Sequence, residues 1–204
     1  DSSDDIAVPR LDNILCNYHK ASCHIEYDKH SHLRYDVFTD IAPNVVSITK
    51  EKFNFMKSSP KNFSLMVKTD GYRCLGYVKD SNLFLFLRNM NLCIPFNLPV
   101  VENIDECILD GEFWTGPNKV SYYFIFDAYY LKKNPKKDGE NLMLDGLYHR
   151  LGQIKSLHNI FASNGNGQDV LKLYIKTPLP ICKEQINYES DEFKCIVEDN
   201  IPEK

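Results

Sequence analysis

Apolar residues along this chain come in short bursts, separated by polar punctuation, and the bursts predict strands. Runs at 63–67, 74–78, 83–87, 107–109, 120–128 and 170–175 are rich in β-branched and aromatic side chains. Gly71, the triplet Asp80-Ser81-Asn82, Gly111 and the triplet Gly116-Pro117-Asn118 punctuate them as turns. The period changes between 146 and 161. There Leu147, Leu151, Ile154, Leu157, Ile160 and Phe161 recur at helical spacing and predict a helix. An earlier helix is expected over 50–56, and the Gly- and Asn-rich stretch 163–167 reads as a loop. Strand hairpins with a few helices predict an α+β fold.

Three segments carry candidate chemistry. The first is Lys68-Thr69-Asp70-Gly71-Tyr72-Arg73, directly after an apolar run. A lysine amine there can attack the α-phosphate of a nucleotide and hold it as a phosphoamide. Gly71 allows a sharp turn and a close approach to phosphate, and Arg73 offers a planar fork of donors. The second is Ile108-Leu109-Asp110-Gly111-Glu112, an apolar strand entering an acidic turn. The third is Tyr123-Phe124-Ile125-Phe126-Asp127-Ala128, an aromatic strand broken by one aspartate. A surface hairpin explains Asp-Gly in isolation. Three such segments in one order do not reduce to that.

Together they resemble motifs I, III and IIIa of the lysine-dependent nucleotidyltransferases, which include mRNA capping guanylyltransferases and ATP-dependent DNA and RNA ligases. The likeness is nearest to the capping enzymes. Pro43-Asn44-Val45-Val46-Ser47 and the Arg150-Leu151 pair resemble further family segments, so the similarity spans roughly 40–180. It implies antiparallel sheets flanked by helices around a nucleotide pocket. Residues 1–40 would be an N-terminal extension or the domain's first elements, and 41–204 an incomplete nucleotidyltransferase domain without its oligonucleotide-binding barrel.

The resemblance also implies roles. Lys68 would be the nucleophile. A free lysine amine, with a pKa of about 10.4, must lose its proton before it attacks. Asp70 and Gly71 would shape the nucleotide site. Arg73 would hold ribose or triphosphate, and Glu112 ribose hydroxyls or a metal. Phe126 would stack on the purine, and Asp127 would be a second metal contact. Arg88 would meet phosphate or RNA, and Thr69 and Lys176 would read the guanine edge. GTP is the expected substrate, with Mg2+ or Mn2+, and 5′-diphosphate RNA the acceptor. An RNA triphosphatase, a cap methyltransferase or RNA polymerase are the expected protein partners. The alternatives are a ligase that adenylates the same lysine and a non-catalytic nucleotide-binding relative. Later family motifs are not evident. The segment around Glu192 stands where a fourth would fall, but it lacks the glycine. The chain therefore reads as a piece of a longer protein or as one with residues missing between the numbered ones, with a divergent, inactive relative as the alternative.

Composition adds limits. A net charge of −4 argues against a broadly basic nucleic-acid surface. The cluster Lys132-Lys133-Asn134-Pro135-Lys136-Lys137 reads better as a solvated loop than as an RNA patch. No apolar run predicts a membrane span. Seven cysteines without regular spacing suggest reduced thiols and an intracellular setting, nuclear if the source is cellular, host cytoplasm or virion if viral. Cys16, His19, Cys23, His24, His30 and His32 fit no standard zinc spacing.

Overall fold

A computed structural model of the chain describes residues 42, 47–87, 92–116, 120–164 and 169–180. These residues fall into two compact units. One comprises 42 and 70–175, the other 47–69 and 176–180. Among the described residues no helix is long and apolar enough to cross a membrane.

The larger unit is built on strands β2 (Tyr72–Lys79), β3 (Asn82–Leu87), β4 (Leu92–Asn97), β5 (Glu106–Thr115), β6 (Ser121–Lys132), β8 (Phe161–Ser163) and β9 (Val170–Ile175). Hydrogen bonding runs β5-β2-β3-β4-β8-β9-β6, and β6 pairs back onto β5. The ring is therefore closed. A two-residue strand, β7 (Glu140–Asn141), flanks β6. Every pairing in the ring is antiparallel except β6 with β9.

This architecture overturns the α+β expectation. The protein is mostly a closed seven-stranded β-barrel, with two short α-helices among the described residues, and it is not a ligase-type nucleotidyltransferase fold. The helix expected over 146–161 covers only α2 (Leu147–Gln153). A 3-10 turn (Lys155–Leu157) follows, and Asn159 takes a left-handed φ of 63° that ends the helical path. Leu151, Ile154 and Leu157 are nevertheless buried, so the apolar spacing was real and two short turns satisfy it.

Register separates the two barrel faces, because directly paired residues share a face. Cys74, Gly76, Leu85, Leu109, Gly111, Tyr123, Ile125 and Leu173 point into the barrel. Gly111 was expected in a turn but lies inside β5. A Cβ there would come within 2.5 Å of the Tyr123 ring and 2.6 Å of the Phe124 carbonyl oxygen. Gly76 faces the same ring, with its Cβ position 2.8 Å away. Two glycines thus make room for one tyrosine, whose hydroxyl donates to the Cys74 carbonyl at 3.3 Å. The opposite face is apolar too near the β2–β3 hairpin. Leu75, Tyr77, Phe84, Phe86, Ile108 and Tyr130 form a buried cluster there. Burial on both faces explains why β3 reads as an unbroken apolar run.

The smaller unit holds helix α1 (Lys50–Ser58), a 3-10 turn (Pro60–Asn62) and the antiparallel pair β1 (Ser64–Leu65) with β10 (Leu179–Pro180). Thr49 caps α1, its hydroxyl accepting from the Lys52 amide at 3.3 Å. Phe53 is buried against Met56, Phe63 and Leu65.

Candidate functional site

Lys68, Thr69 and Lys176 belong to the smaller unit. Lys68 is exposed, and its Nζ lies 3.4 Å from the Thr69 carbonyl oxygen, which accepts from it. Lys176 is buried, at 8% exposure. Its ammonium donates to the Val67 carbonyl at 2.9 Å and to Thr69 Oγ1 at 2.9 Å. Lys176 therefore grips the backbone just before Lys68 and the side chain just after it. Nothing in the spacing of positions 68 and 176 announced this contact, although the resemblance had grouped Thr69 with Lys176.

Asp70, Gly71, Arg73, Glu112, Phe126 and Asp127 belong to the barrel unit. Gly71 stands at the approach to β2. Its Cβ position is 2.7 Å from the Phe113 carbonyl oxygen, so this chain's own backbone already requires glycine there. Arg73 pairs across β2–β5 with Glu112, and Glu112 pairs across β5–β6 with Phe124. Tyr174 continues that row on β9. Arg73, Glu112, Phe124 and Tyr174 thus line one outward-facing row over four strands. Asp70 is exposed, and Glu112 is half-buried. Arg88 lies outside the described residues, as do the Cys16-to-His32 group, Pro43 to Val46 and Glu192.

Two register shifts in the β5–β6 pairing leave Phe126 and Tyr129 as extra residues on β6. Such bulges re-aim side chains. The Arg73 Cζ lies 5.7 Å from the Phe126 ring centroid, a cation–π contact. The same guanidinium binds Asp110, Nε to Oδ1 at 3.1 Å and Nη2 to Oδ2 at 2.5 Å. Tyr129 donates its hydroxyl to Asp110 Oδ2 at 2.5 Å. Asp110 is fully buried. Burial lifts its carboxyl above the usual aspartate range, against the pull of Arg73 and Tyr129. Burial acts on Arg73 in the opposite sense, but Asp110 outweighs it and holds the guanidinium charged. Burial and then Asp110 push the Tyr129 hydroxyl far up.

Asp127 pairs with Arg150 of α2. Nε reaches Oδ1 at 2.7 Å, and Nη2 reaches Oδ2 at 2.7 Å. Arg150 Nη1 also donates to the Asp145 carbonyl at 2.6 Å. Both Asp127 oxygens are thereby engaged, and both Asp110 oxygens are engaged by Arg73 and Tyr129. Among the described residues no three His, Cys, Asp or Glu side chains converge as ligands for an ion.

The sequence left Asp110 and Tyr129 without a role. Asp110 lay within a motif whose glutamate drew the attention, and Tyr129 was one aromatic among many. The Arg150-Leu151 pair was visible, and its salt bridge to Asp127 was not.

No family model matches this chain, and no curated protein matches it.

Proposed function

We propose that this protein is an mRNA guanylyltransferase. Lys68 Nζ, after giving up a proton to solvent, attacks the α-phosphorus of GTP and releases a second proton as the phosphoamide forms. A P–N bond forms, the bond from the α-phosphorus to the bridging oxygen breaks, and pyrophosphate leaves with that oxygen. A β-phosphate oxygen of 5′-diphosphate RNA then attacks the lysine-bound phosphorus. The P–N bond breaks, and the GMP caps the RNA. Barrels host many unrelated activities, so the reading rests on residues and not on the fold.

The observation that carries it is the contact of Lys176 Nζ with Thr69 Oγ1 at 2.9 Å, beside the lysine of the Lys-Thr-Asp-Gly run. A lysine ammonium only donates, and a threonine hydroxyl can donate. That set suits an edge of acceptors. Guanine presents O6 and N7 as acceptors, whereas adenine presents a donor at N6. The motif resemblance supplies the reaction, and the donor set favours guanine over adenine. Mg2+ or Mn2+ would neutralise phosphate charge on the bound triphosphate.

The test is transfer of label from α-labelled GTP, or separately ATP, in the presence of Mg2+. The expected outcome is a GMP adduct that survives denaturation, is released by acid as a phosphoamide should be, and is absent in Lys68→Ala. Thr69→Val should narrow the preference for GTP over ATP by about tenfold, the scale of one hydrogen bond. An AMP adduct on Lys68 would make the protein a ligase-type adenylyl carrier. Nucleotide binding with no adduct would make it a binding module.

A further inference from the structure

We infer that the outer wall of strands β5, β6, β8 and β9 is a stacking platform for the bases of a single-stranded RNA. It lies wholly within the barrel unit. The choice of RNA over DNA rests on the guanylyl-transfer reading above, and the stacking chemistry stands without it. On β6 the outward Tyr122 and Phe124 flank the inward Tyr123, and on β9 the outward Lys172 and Tyr174 flank the inward Leu173. Pairing sets these residues in rows. Trp114, Tyr122, Lys172 and Phe161 stand side by side over four strands. Phe124 and Tyr174 are neighbours in the next row. The rings touch one another. Tyr122 and Phe124 are stacked, with centroids 5.4 Å apart and planes at 4°. Trp114 leans on both, at 5.8 Å and 6.2 Å. Tyr174 meets Phe124 edge-on at 5.9 Å and the His158 ring at 4.7 Å. Lys172 Nζ lies 5.6 Å from the Phe161 ring centroid.

A sheet face turned only to water alternates to polar side chains. This face carries Trp114, Tyr122, Phe124, Tyr174 and Phe161 instead, with Lys172 among them. Phe161 is 57% exposed, and Trp114, Tyr122 and Tyr174 are partly exposed. An apolar protein partner would strand the Lys172 ammonium in the interface. A single nucleic-acid strand suits both kinds of group. Every base has a π face that extends a ring stack, and every nucleotide brings a phosphate for the lysine. His158 adds a donor beside Lys172. Its Nδ1 accepts from the Ile175 amide at 3.1 Å, which leaves the ring proton on Nε2. Burial, and then Lys172, holds its pKa below the usual histidine value, so the ring is neutral at pH 7. Glu112 pairs with Phe124 from the β5 side, so phosphates are drawn to β8 and β9 and bases to Tyr122 and Trp114. A single lysine also fits a chain of net charge −4, because stacking carries most of the affinity.

Trp114 is the only tryptophan in the chain, so its fluorescence reports from the platform itself. The test titrates the whole chain, without GTP, with a mixed-sequence RNA strand of about ten nucleotides and follows the quenching. Saturable quenching is expected, with weaker binding of DNA of the same sequence and of duplex RNA. Phe161→Ala, at an exposed ring, should weaken RNA binding about tenfold, the scale of one base–aromatic stack. Lys172→Gln should flatten the slope of log affinity against log salt by about 0.7, the share of one phosphate contact. No quenching, unchanged affinity in Phe161→Ala, or equal binding of duplex RNA would overturn the inference. Equal or tighter binding of the DNA would overturn the choice of RNA. Self-association that shields Trp114 in place of quenching by RNA, seen in sedimentation, would give the face to a second copy of this chain. A protein that takes GMP label and ignores RNA overturns this inference alone. One that binds RNA and takes no label overturns the guanylyl-transfer reading alone.

Discussion

A single methyl group at Gly111 would fall 2.5 Å from the Tyr123 ring and 2.6 Å from the Phe124 carbonyl. The ring could shift, but the carbonyl belongs to β6 and cannot move without breaking its pairing with β5. Gly111→Ala should therefore cost about 1–3 kcal/mol, the usual scale of overpacking, read as a lower urea midpoint at unchanged slope. The sequence offered the residue and concealed its reason. Asp110-Gly111 has the composition of a hairpin turn, and only the position of Tyr123, twelve residues on, shows why glycine sits in mid-strand. The same holds for Gly71, where the neighbour is the Phe113 carbonyl. Lys68 and Arg73 stood out as candidates because residue type and local order carry the chemistry they would perform. The contacts of Asp110 with Arg73 and Tyr129 did not, because they exist only once three strands lie side by side.

Among the elements, the β2–β3 hairpin was the most legible. Its two strands were bracketed by the apolar runs, and Asp80 and Ser81 stand at its two-residue turn with φ of 50° and 57°. Positive φ at both positions is the hairpin geometry that matches strand twist, and it favours glycine. Asn82 Nδ2 donates to the Asp80 carbonyl at 2.9 Å and supports the turn, but Ser81 still bears a Cβ in left-handed backbone. Ser81→Gly should raise stability by about 1 kcal/mol, seen as a higher melting temperature. The α2 region was half legible. Its apolar spacing foretold the burial of Leu151, Ile154 and Leu157, but Phe161 is exposed in a strand and the length of the helix was overestimated. Gly152 and the left-handed Asn159 are weak local signals. What fixes the short helix is its salt bridge to β6, which couples residues 23 apart in sequence.

The whole molecule was the least legible scale. Local pattern identifies strands, but a ring is defined by which strand meets which, and that information is spread over distant positions. The tyrosines give a global readout. Burial, aided by Glu106 and other nearby acids, raises the Tyr130 hydroxyl to about 12. Burial raises Tyr77, Tyr123 and Tyr129 further. An acid whose folded pKa is raised favours the fold in its protonated form. Its contribution is complete below pH 10, the ordinary tyrosine value, and for Tyr130 it is lost as pH climbs through about 12. Tyrosinate absorbance of these buried rings should thus appear only with unfolding. A single stage at the ordinary value would contradict the burial. The ring has another consequence, for the chain as it is made. Strands β2 to β6 join as an antiparallel sheet of five, with β4 and β6 as bare edges. The β8–β9 hairpin fills the gap, meeting β6 at five positions and β4 only at Asn97 opposite Ser163. During synthesis those two edges stay open until residue 175 has emerged, and open edges invite pairing with other chains. A chain arrested with β6 emerged and β9 still inside the ribosome would be held one hairpin short of closure, with both edges open.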